Sequence, residues 1–591
     1  MLSEHIKELA QEWLRLDFNP VTRAEIEKLV EEQNEEELTK RLVNRIKFGT
    51  AGLRGRMQAG FSAMNTLIVC QASQGLAKYL EAKIPDFRDR GIVIGYDKRY
   101  NSLDFALTTA SVFIGLGAKV YMYGDFVPTP LVPFAIKHTG AACGVMVTAS
   151  HNPKDDNGYK LYWENAAQII TPHDSGIHNS ILENLEIWDT NVPLEKVWEN
   201  PLVISEDDDF IEAYLAAEKT ALCTRYEANK KSKVKCVYTA MHGVGYFMVD
   251  KIRSVFGFPR RNFYPVESQQ HPDPEFPTVP FPNPEEGEGT LELSFDEADR
   301  VGANLIIASD PDCDRMLFVE RQPDGKWFVF SGNQIANILA WWMLRSYKEQ
   351  GKDVSKVAMV TTNVSSEFLK SMGEAEGFDF HATLTGFKWM ANKAEELKVE
   401  GKEVLLCYEQ AIGFAAGDVV FDKDGVSAYA VAMELATYLD EQNMSIHDQL
   451  TALYEKYGFF CSNDGYYFTP GNTVTDAVVD YIRHGNNGTY LDNVNGVKVA
   501  HVSDLMTPGY DNTTPDNKPT LPVSAAPNMT FWFENDIRVT IRTSGTEPKV
   551  KWYSEIRRPT LEAARTELDE FIDILKRDWL KPEHFGLISK E

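Results

Sequence analysis

The sequence predicts an α/β protein with several sheets of mostly parallel strands, followed by an α+β tail. Short apolar segments such as 141–147 are typical of strands that are buried in a parallel sheet. These segments alternate with stretches of helical spacing, which implies right-handed βαβ crossovers. From about residue 445 the pattern changes to strands separated by turn residues, and this indicates a separate α+β domain.

The chain is 591 residues long, which exceeds a single core and suggests about four domains. The first three units are α/β: strands are predicted at 91–97 and 119–123 around a helix over 101–116, then at 234–238 and 304–309, and then at 357–362 and 404–408. The tail is predicted to contain a helix over 447–457, antiparallel strands around 531–541 and a closing helix over 561–575. We therefore expect four domains, with the boundaries 1–215, 216–330, 331–445 and 446–591.

Two other segments have a recognisable pattern. The first forty residues are charged with helical spacing and predict one or two surface helices. The segment 271–284 is rich in proline, so we expect an extended, ordered loop with little regular structure.

Composition excludes several classes of partner. The net charge is −27, from 60 Lys and Arg against 87 Asp and Glu, which argues against nucleic acid or a membrane surface as a partner. The same charge would repel a phosphorylated substrate, so its binding must depend on local cations, backbone N–H groups and a metal ion. The seven cysteines lack C-x-x-C spacing, there is no signal pattern, and no apolar run approaches a membrane span, so we expect a cytoplasmic protein.

A serine and a histidine lie together at the predicted end of the 141–147 strand. Pro153 prevents the segment from continuing as a helix, so we expect Ser150 and His151 to be presented to solvent or ligand rather than buried. Ligands of open α/β sheets bind at this edge, which makes Ser150 a candidate phosphoryl or acyl carrier. Taken alone, a neighbouring serine and histidine are more often ordinary loop residues without a function.

Three aspartates alternate directly after the predicted strand 304–309. Asp310, Asp312 and Asp314 would supply hard oxygen ligands to one small cation, and without histidine or paired cysteine this favours magnesium over zinc. A solvated acidic turn is the alternative, but three crowded carboxylates repel each other unless a cation lies between them. Arg315 could place its guanidinium group on a phosphate that also contacts the cation.

Other loops offer phosphate-binding and sugar-binding groups. The segment 542–549 combines an arginine, hydroxyls and a glycine, as a phosphate site requires, although a bare turn would look the same. The segments 385–388 and 408–413 offer an amine and a carboxylate for sugar hydroxyls, although a Glu-Gln pair usually lies on the surface. The glycine-rich turns 49–55 and 242–245 match neither the Walker A nor the dinucleotide motif, so nucleotide binding is disfavoured.

Together these loops resemble those of the α-D-phosphohexomutase superfamily, over nearly the whole chain. The segments 148–153, 310–315 and 542–546 are similar to its phosphoserine, metal-binding and phosphate-binding loops, in the family's order. The resemblance implies four domains around a central cleft. Three would be related mixed or parallel α/β domains, and the fourth a smaller C-terminal α+β phosphate-binding domain.

The resemblance also implies a mechanism in which a phosphoserine donates its phosphoryl group to the substrate. The product is a sugar bisphosphate of the glucose-1,6-bisphosphate type, which reorients, returns its other phosphate and also serves as activator. By this resemblance Ser150 is the carrier, and Ser150, Asp310, Asp312 and Asp314 hold Mg²⁺. Arg54 and Lys160 would neutralise the phosphoryl group or handle protons, and His151 and Lys388 would have acid–base or orienting roles. The implied substrate-binding residues are Arg54, Asp314, Arg315, Thr385, Gly386, Lys388, Glu409, Gln410, Arg542, Ser544, Gly545 and Thr546.

One loop separates branches of the superfamily. Hexose-phosphate mutases usually carry Glu-x-Ser-Gly where this chain has Glu409, Gln410 and Ala411, and the lost hydroxyl removes one sugar contact. With the segments 385–390 and 422–427, this loop is similar to the phosphopentomutase branch, which is phosphoglucomutase-2-like. Close members of that branch have two acidic residues where this chain has Glu409 and Gln410.

The branch implies interconversion of ribose or deoxyribose 1-phosphate and 5-phosphate, and of glucose 1-phosphate and 6-phosphate. The branch also contains a glucose-1,6-bisphosphate synthase that uses a 1,3-bisphosphoglycerate donor, and this is the main alternative. A serine-nucleophile phosphatase and a catalytically silent binding protein are further alternatives. The expected partners are small phosphosugars, without nucleic acid or membrane, for a monomer or homodimer.

Overall fold

The computed structural model describes residues 2–49, 52–286, 288–524, 526–544 and 548–589. The chain forms two compact units. The first comprises Met1–Lys352 and Phe387–Ile446, and the second comprises Asp353–Gly386 and His447–Glu591. No helix among the described residues is long and apolar enough to cross a membrane. The four domain boundaries expected from the sequence stay predictions.

The first unit begins with three helices rather than one or two. They are α1 Glu4–Leu16, α2 Pro20–Glu31 and α3 Glu35–Leu42. Asparagine caps separate them: Asn19 accepts a hydrogen bond from the Val21 N–H and Asn34 one from the Glu37 N–H. Each helix buries one apolar face, with Trp13, Ile26 and Leu38 fully buried, and leaves the rest at the surface, so the predicted surface helices are present but their number was wrong.

A six-stranded sheet follows in the order β1-β5-β4-β2-β3-β6. Strands β2, β3, β4 and β6 are parallel, and β5 runs antiparallel to β4 and β1. The apolar strands β2 and β4 are buried along their whole length, as the sequence predicts. The elements are β1 Leu53–Arg56, α4 Thr66–Lys83, α5 Phe87–Arg90, β2 Ile92–Tyr96, α6 Ser102–Gly115, β3 Val120–Met122, α7 Leu131–Thr139, β4 Cys143–Val147, β5 Asp156–Tyr162, α8 His173–Leu182, β6 Val203–Ile204, α9 Asp207–Leu222 and α10 Tyr226–Asn229.

A second sheet of the same unit has the order β11-β10-β9-β7-β8, with β8, β7 and β9 parallel and the β9–β10–β11 strands antiparallel. Of the proline-rich segment 271–284, residues 271–283 contain neither helix nor strand, as expected, and Pro284 begins a short 3-10 helix. The elements are β7 Cys236–Thr239, α11 Gly245–Val255, β8 Phe263–Pro265, α12 Glu288–Val301, β9 Leu305–Ser309, β10 Met316–Arg321 and β11 Trp327–Val329.

The third predicted domain contributes elements to both units. The first unit contains the antiparallel pair β14–β15, and the second unit contains the parallel pair β12–β13. Strand β14 ends at Glu409, one of the predicted sugar-binding residues. The elements are α13 Gly332–Glu349, β12 Val357–Thr362, α14 Phe368–Glu376, β13 Asp379–Thr383, α15 Phe387–Val399, β14 Glu403–Glu409, β15 Gly413–Ala416 and α16 Gly425–Glu441.

The tail folds as the predicted α+β arrangement, with antiparallel strands and a closing helix. The segment around 531–541 is a hairpin whose turn contains Asp536 at a φ of 62°. The helices 472–484 and 561–575 pack against the sheet over a core that includes Phe531, Phe533 and Trp579. The elements are α17 Ile446–Tyr457, β16 Phe459–Ser462, β17 Gly465–Phe468, α18 Asn472–His484, β18 Asn493–Val494, β19 Val497–Asp504, β20 Tyr510–Asp511, β21 Asn528–Phe533, β22 Arg538–Thr543, β23 Lys549–Arg558, α19 Leu561–Leu575, α20 Pro582–Phe585 and β24 Ile588–Ser589.

Candidate active site

Ser150 lies on the loop after β4, which we call the serine loop (148–156). Its φ of 52° places it in the left-handed region, which is unfavourable for a non-glycine residue and typical of functional loops. Its hydroxyl donates to Oδ2 of Asp310 at 2.9 Å and lies 3.3 Å from Nδ1 of His151. Ser150 is only 4% exposed, so the expectation of an exposed serine was wrong: the aspartate covers the hydroxyl.

A buried arginine holds the serine loop in this conformation. The Arg99 guanidinium group donates to the carbonyl oxygens of Ser150 at 2.5 Å, Asn152 at 2.7 Å and Pro153 at 2.8 Å. Its Nε pairs with Asp97 at 3.2 Å, and Asp97 also accepts a hydrogen bond from the Thr148 hydroxyl. Asp97 and Thr148 directly follow the neighbouring strands β2 and β4, so the sheet itself fixes this network.

The three aspartates lie on the turn between β9 and β10, which we call the aspartate loop (310–315). Asp310, Asp312 and Asp314 are fully buried, and carboxylate oxygens from all three lie within 4.8 Å of one another. Burial, together with the adjacent Asp312 and Asp314 carboxylates, raises the pKa of Asp310 well above its ordinary value. The aspartate loop is thus a concentrated, buried negative site.

Cationic side chains surround this site. Lys160, on β5, places its Nζ 2.6 Å from Oδ2 of Asp312 and 2.7 Å from Oδ2 of Asp314. Lys423 lies 3.2 Å from Asp314, and Nε of Arg315 lies 3.9 Å from it. Burial alone would raise the pKa of Asp314, but Lys160, Lys423 and Arg315 hold it below its ordinary value.

The donor set of the two loops fits a small, hard cation. Asp312 Oδ1 and Asp314 Oδ1 are buried without a hydrogen-bond partner, which is costly for carboxylate oxygens unless a cation or water contacts them. Ser150 adds a hydroxyl oxygen beside Asp310. Oxygen ligands alone are the preferred environment of Mg²⁺ or Ca²⁺ rather than Zn²⁺.

Arg54 and His151 complete the surroundings of the serine loop. Arg54, on β1, donates from Nη2 to the carbonyl oxygen of Ala149. Burial, and next the nearby Arg315 and Arg54 guanidinium groups, lower the pKa of His151 well below its ordinary value, so the ring is neutral at physiological pH. Both residues predicted from the sequence therefore lie beside Ser150.

The predicted sugar-binding loop is connected to the aspartate loop. The Met316 N–H donates to the carbonyl oxygen of Ile412 at 3.1 Å, which fixes the loop after Glu409 against the start of β10. Burial alone would lower the pKa values of Arg315 and Lys423, but nearby carboxylates raise them: mainly Glu285 and Asp310 for Arg315, mainly Asp314 for Lys423, with a smaller contribution from Glu409 in each case. A side chain at Gly332 would collide with the carbonyl oxygen of Gln410, so this loop packs closely on α13.

Lys388 is the second residue of α15 and is half-buried. Burial lowers its pKa to about 8, and the Asp174 carboxylate partly opposes this shift. No hydrogen bond or ion pair among the described residues joins Lys388 to Ser150.

The predicted phosphate-binding residues belong to the second unit. Arg542, on β22, donates from Nη1 to the hydroxyl of Thr385, and Gly386 has a φ of 107° that suits glycine. Ser544 donates from its N–H to the carbonyl oxygen of Lys549 at 3.0 Å. Gly545 and Thr546 lie outside the described residues.

Comparison with known proteins places this geometry in a family. Three profiles described as phosphoglucomutase/phosphomannomutase alpha/beta/alpha domains I, II and III match residues 45–187, 209–325 and 331–457. A phosphopentomutase from Mus musculus is 41% identical over 99% of this chain and 96% of its own length. The chain belongs to the α-D-phosphohexomutase superfamily.

One further relative in sequence and one solved structure of the same fold agree with this assignment. A glucose 1,6-bisphosphate synthase from Homo sapiens is 42% identical over 98% of this chain and 94% of its own length. The crystal structure of parafusin, a phosphoglucomutase from Paramecium, covers 90% of this chain and 95% of its own with a TM-score of 0.62 at 17% identity. The expected fold class is thus confirmed, and the chain lies in the phosphopentomutase branch of the phosphohexomutases.

Sequence reasoning missed three residues that shape this phosphohexomutase site. Arg99 supports the serine loop, Thr129 donates its hydroxyl to Asp312, and Lys423 pairs with Asp314. Arg99 has a signal in the sequence, because it follows an apolar strand next to Asp97 in the predicted sheet. Thr129 lies on a loop after β3 with no charge to mark it, so only the fold reveals its contact.

Proposed function

We propose that this protein is a phosphopentomutase that moves a phosphoryl group between C1 and C5 of ribose or deoxyribose through phosphoserine at Ser150, with glucose 1-phosphate as a further substrate. The observation that carries the proposal is the Ser150 hydroxyl, 2.9 Å from Asp310 and within a cluster of buried carboxylates and cations. A phosphoryl group on Ser150 would lie beside Lys160 and Arg54, which can neutralise its charge.

Ser150 and the aspartates Asp310, Asp312 and Asp314 would hold the metal ion, which we propose to be Mg²⁺. When bound, Mg²⁺ supplies positive charge that offsets the negative charge of the transferred phosphoryl group. Lys160 contacts Asp312 and Asp314 and keeps the remaining charge of the loop balanced. The protein therefore contributes mainly positioning and charge neutralisation, as phosphoryl transfer requires.

Two half-reactions make up the proposed cycle. A substrate hydroxyl attacks the phosphorus of phosphoserine, the P–O bond to Ser150 Oγ breaks, and a sugar bisphosphate forms; the other phosphate then returns to Ser150 in the reverse sense. The attacking hydroxyl loses a proton and Ser150 Oγ regains one. His151, which is neutral and 3.3 Å from Oγ, is the proton carrier that the geometry favours over Lys388.

Substrate recognition is assigned to the other two loops. Arg542 and Ser544, with Gly545 and Thr546, would bind the phosphate that does not react, beside Thr385 and Gly386. Glu409 and Gln410 would accept and donate hydrogen bonds to the sugar hydroxyls, while Asp314 and Arg315 border them. The bisphosphate of the glucose-1,6-bisphosphate type acts as activator by phosphorylating Ser150.

We further propose a cytoplasmic monomer or homodimer. The cysteines of the described chain are free thiols and six of the seven are buried, which suits a reducing compartment.

A substrate comparison tests the function. With Mg²⁺ and a catalytic amount of glucose 1,6-bisphosphate, we expect kcat/KM for ribose 1-phosphate to exceed that for glucose 1-phosphate. Equal or reversed values would contradict the pentose preference. A rate that depends on stoichiometric 1,3-bisphosphoglycerate identifies a bisphosphate synthase instead, and net release of inorganic phosphate identifies a phosphatase.

A further inference from the structure

The proline-rich segment contacts both loops of the candidate active site, although the proposed reaction gives it no role. We call residues 271–285 the proline strap; it lies between β8 and α12. It has little regular structure but is packed into the first unit, because the side chains of Phe276, Val279 and Pro282 are buried. Phe276 is only 2% exposed, and its carbonyl oxygen accepts the Val279 N–H at 3.0 Å. The position of the strap is therefore set by what its buried side chains contact.

A chain of side-chain hydrogen bonds anchors the strap on the second sheet. The Thr239 hydroxyl, at the end of β7, donates to Oε1 of Gln269 at 2.6 Å, and Nε2 of Gln269 donates to the hydroxyl of Thr278 at 2.9 Å. The same Thr278 hydroxyl lies 2.7 Å from Nε2 of His242. His242 belongs to the glycine-rich turn 242–245, which matched no nucleotide motif, so these bonds join the strap to that turn.

The glycine-rich turn and the far end of the strap both contact the aspartate loop. The Val244 N–H donates to the carbonyl oxygen of Pro311 at 2.7 Å. A side chain at Gly243 would collide with the Pro311 backbone, so the turn packs against the loop without space between them. At the end of the strap, the Glu285 carboxylate lies 3.2 Å from Nη1 of Arg315. The strap is thus connected to the aspartate loop at two points.

The middle of the strap packs on the arginine that supports the serine loop. Cζ of Arg99 lies over the Phe276 ring, 5.0 Å from its centroid. Each Nη atom of Arg99 already has two acceptors, which are the carbonyl oxygens of Ser150, Asn152, Pro153 and Asp156. The ring therefore adds a contact with the cation as a whole, and such a contact is strongest where both partners are buried, as they are here.

A second contact between the strap and the serine loop lies at the surface. Glu275 accepts a hydrogen bond from the hydroxyl of Tyr100 and pairs with Nζ of Lys154 at 2.6 Å. The side chains of Glu275 and Lys154 are each about half exposed, and an exposed ion pair contributes little by itself. Phe276 is therefore the residue through which the strap acts on the serine loop.

We propose that Phe276 is a positioning residue for phosphoryl transfer. It holds Arg99, and through Arg99 the Ser150 hydroxyl, in place relative to the aspartate loop on which the strap is anchored. The effect on the serine loop is independent of the proposed function, and only the effect on turnover rests on it.

The variant Phe276→Leu tests this proposal, because leucine keeps an apolar side chain at the position but removes the ring. The matched control is Phe263→Leu. Phe263 is also buried, and Cζ of Arg253 and of Arg260 lie 5.7 and 5.4 Å from its ring centroid, but it belongs to β8 at the edge of the second sheet. Hydrogen exchange of the peptide 148–156 reports the order of the serine loop without any need for activity. Steady-state kinetics with ribose 1-phosphate, Mg²⁺ and glucose 1,6-bisphosphate report turnover.

We expect Phe276→Leu to speed exchange in 148–156 and to lower kcat about tenfold while KM changes by less than about twofold, because a displaced nucleophile loses positioning rather than substrate binding. Phe263→Leu should leave both the exchange and kcat close to those of the unmodified protein. The double variant Phe276→Leu/Arg99→Lys should have the kcat of Arg99→Lys alone, because Phe276 acts through Arg99. If Phe276→Leu does not fold, Phe276→Met serves for the same measurements, since the flexible methionine side chain adapts to the space.

Four outcomes would overturn the positioning role of Phe276. These are unchanged exchange in 148–156, equal acceleration of that exchange in Phe263→Leu, faster exchange with unchanged kcat, and losses of kcat that multiply in the double variant. A chain without mutase activity in which Phe276→Leu still speeds exchange in 148–156 would refute only the proposed function, and the contact between the strap and the serine loop would stand.

Discussion

Ser150 combines a reactive position with an unfavourable backbone conformation. Its left-handed φ of 52° is maintained by contacts of the loop rather than by its own side chain, because Arg99 binds the Ser150 carbonyl oxygen and Thr148 accepts its N–H. The hydroxyl itself contributes two hydrogen bonds, to Asp310 and to the ring of His151. Chemistry and stability therefore depend on different atoms of the same residue.

The first prediction separates these two roles with Ser150→Ala. We expect turnover to be lost and no phosphate to be incorporated, while the free energy of unfolding changes by only about 1–2 kcal/mol, since two hydrogen bonds are removed. Steady-state kinetics, intact-mass analysis of the phosphorylated protein and thermal unfolding measure the three quantities. Ser254→Ala, an exposed serine on α11, is the control and should retain both activity and the phosphorylated form. A Ser150→Ala protein that retains most of the activity would refute the phosphoserine mechanism.

The second prediction concerns Arg99, which acts through the serine loop. Arg99→Lys keeps the charge beside Asp97 but loses the planar group that reaches several carbonyl oxygens at once. We expect kcat to fall about 100-fold with little change in KM, because a displaced nucleophile loses positioning rather than substrate binding. The matched control is Arg90→Lys, because Arg90 also donates to backbone carbonyl oxygens, of Gly140 and Ala141, but away from the loop. A change in KM alone, or the same fall in kcat in both variants, would contradict a positioning role for Arg99.

At the scale of elements, the packing of a helix decides how a given residue type within it affects the stability of the protein. Gly75 lies within α4, where an added Cβ would be 2.5 Å from Cα of Ile181 on α8, so the two helices are in backbone contact there. Gly289 is the second residue of α12, and among the described residues no atom beyond its chain neighbours and the helix backbone lies within 4 Å of the same added carbon. Gly75 lies in the middle of its helix against a neighbouring helix, whereas Gly289 lies in the first turn of its helix with free space around it.

The third prediction is that alanine has opposite effects at these two positions. Gly75→Ala should destabilise the protein by about 1–3 kcal/mol, because the methyl group forces α4 and α8 apart. Gly289→Ala should stabilise it by about 0.5–1 kcal/mol, because alanine favours the helix and meets nothing. Urea unfolding measures the change in the free energy of unfolding for both variants. If both changes have the same sign, the contact between α4 and α8 is looser than in the structure.

The strand β23 carries a buried carboxyl group whose ionisation opposes folding. Burial raises the pKa of Glu555 from 4.5 to about 7, although Arg538 acts in the opposite direction. Its Oε1 accepts the Glu367 N–H at 2.8 Å, while its Oε2 is buried without a partner. The folded protein therefore retains a proton that the unfolded chain releases near pH 4.5.

The fourth prediction follows from this shift. Because the folded pKa is the higher one, the contribution of Glu555 to stability is complete below about pH 4.5 and is lost as the pH rises through 7. Glu555→Gln keeps the acceptor and removes the ionisation, so it should stabilise the protein at pH 8 by about 3 kcal/mol relative to its effect at pH 4. Denaturant unfolding at both pH values tests this. Glu567→Gln is a control of opposite sign, because Arg558 lowers the pKa of Glu567.

Across the whole molecule, the sequence predicted those elements and loops that a local residue pattern determines. The apolar strands, the closing helix Leu561–Leu575 and the serine and aspartate loops follow from periodicity and from polar residues after buried strands. The number of amino-terminal helices was missed, because two asparagine caps interrupt a continuous charged pattern. Burial of Ser150 and the contacts of Thr129 and Lys423 arise between segments distant in sequence, so no local pattern indicates them.

The whole chain carries excess negative charge, and part of it is buried at the aspartate loop. We therefore expect a cation bound at this loop to stabilise the folded protein. The chain has a net charge of −27, and three of its carboxylates are buried together with two oxygens unpartnered. Lys160 and Lys423 offset part of this charge. A bound cation would relieve the remaining repulsion in the folded state only, and so binding adds directly to the free energy of unfolding.

The fifth prediction is that Mg²⁺ raises the thermal stability of the protein freed of metal by a chelator. At a concentration about 100 times the dissociation constant, the gain should be about 2.7 kcal/mol, because the unfolded chain does not assemble the site. Asp312→Asn should abolish the Mg²⁺-dependent gain, whereas Asp299→Asn, a change in an exposed carboxylate that pairs with Arg321, should leave it intact. Scanning calorimetry with and without Mg²⁺ measures the gain, and an equal gain in both variants would place the cation elsewhere. Because the readout is unfolding, the result holds whichever sugar phosphate the enzyme prefers.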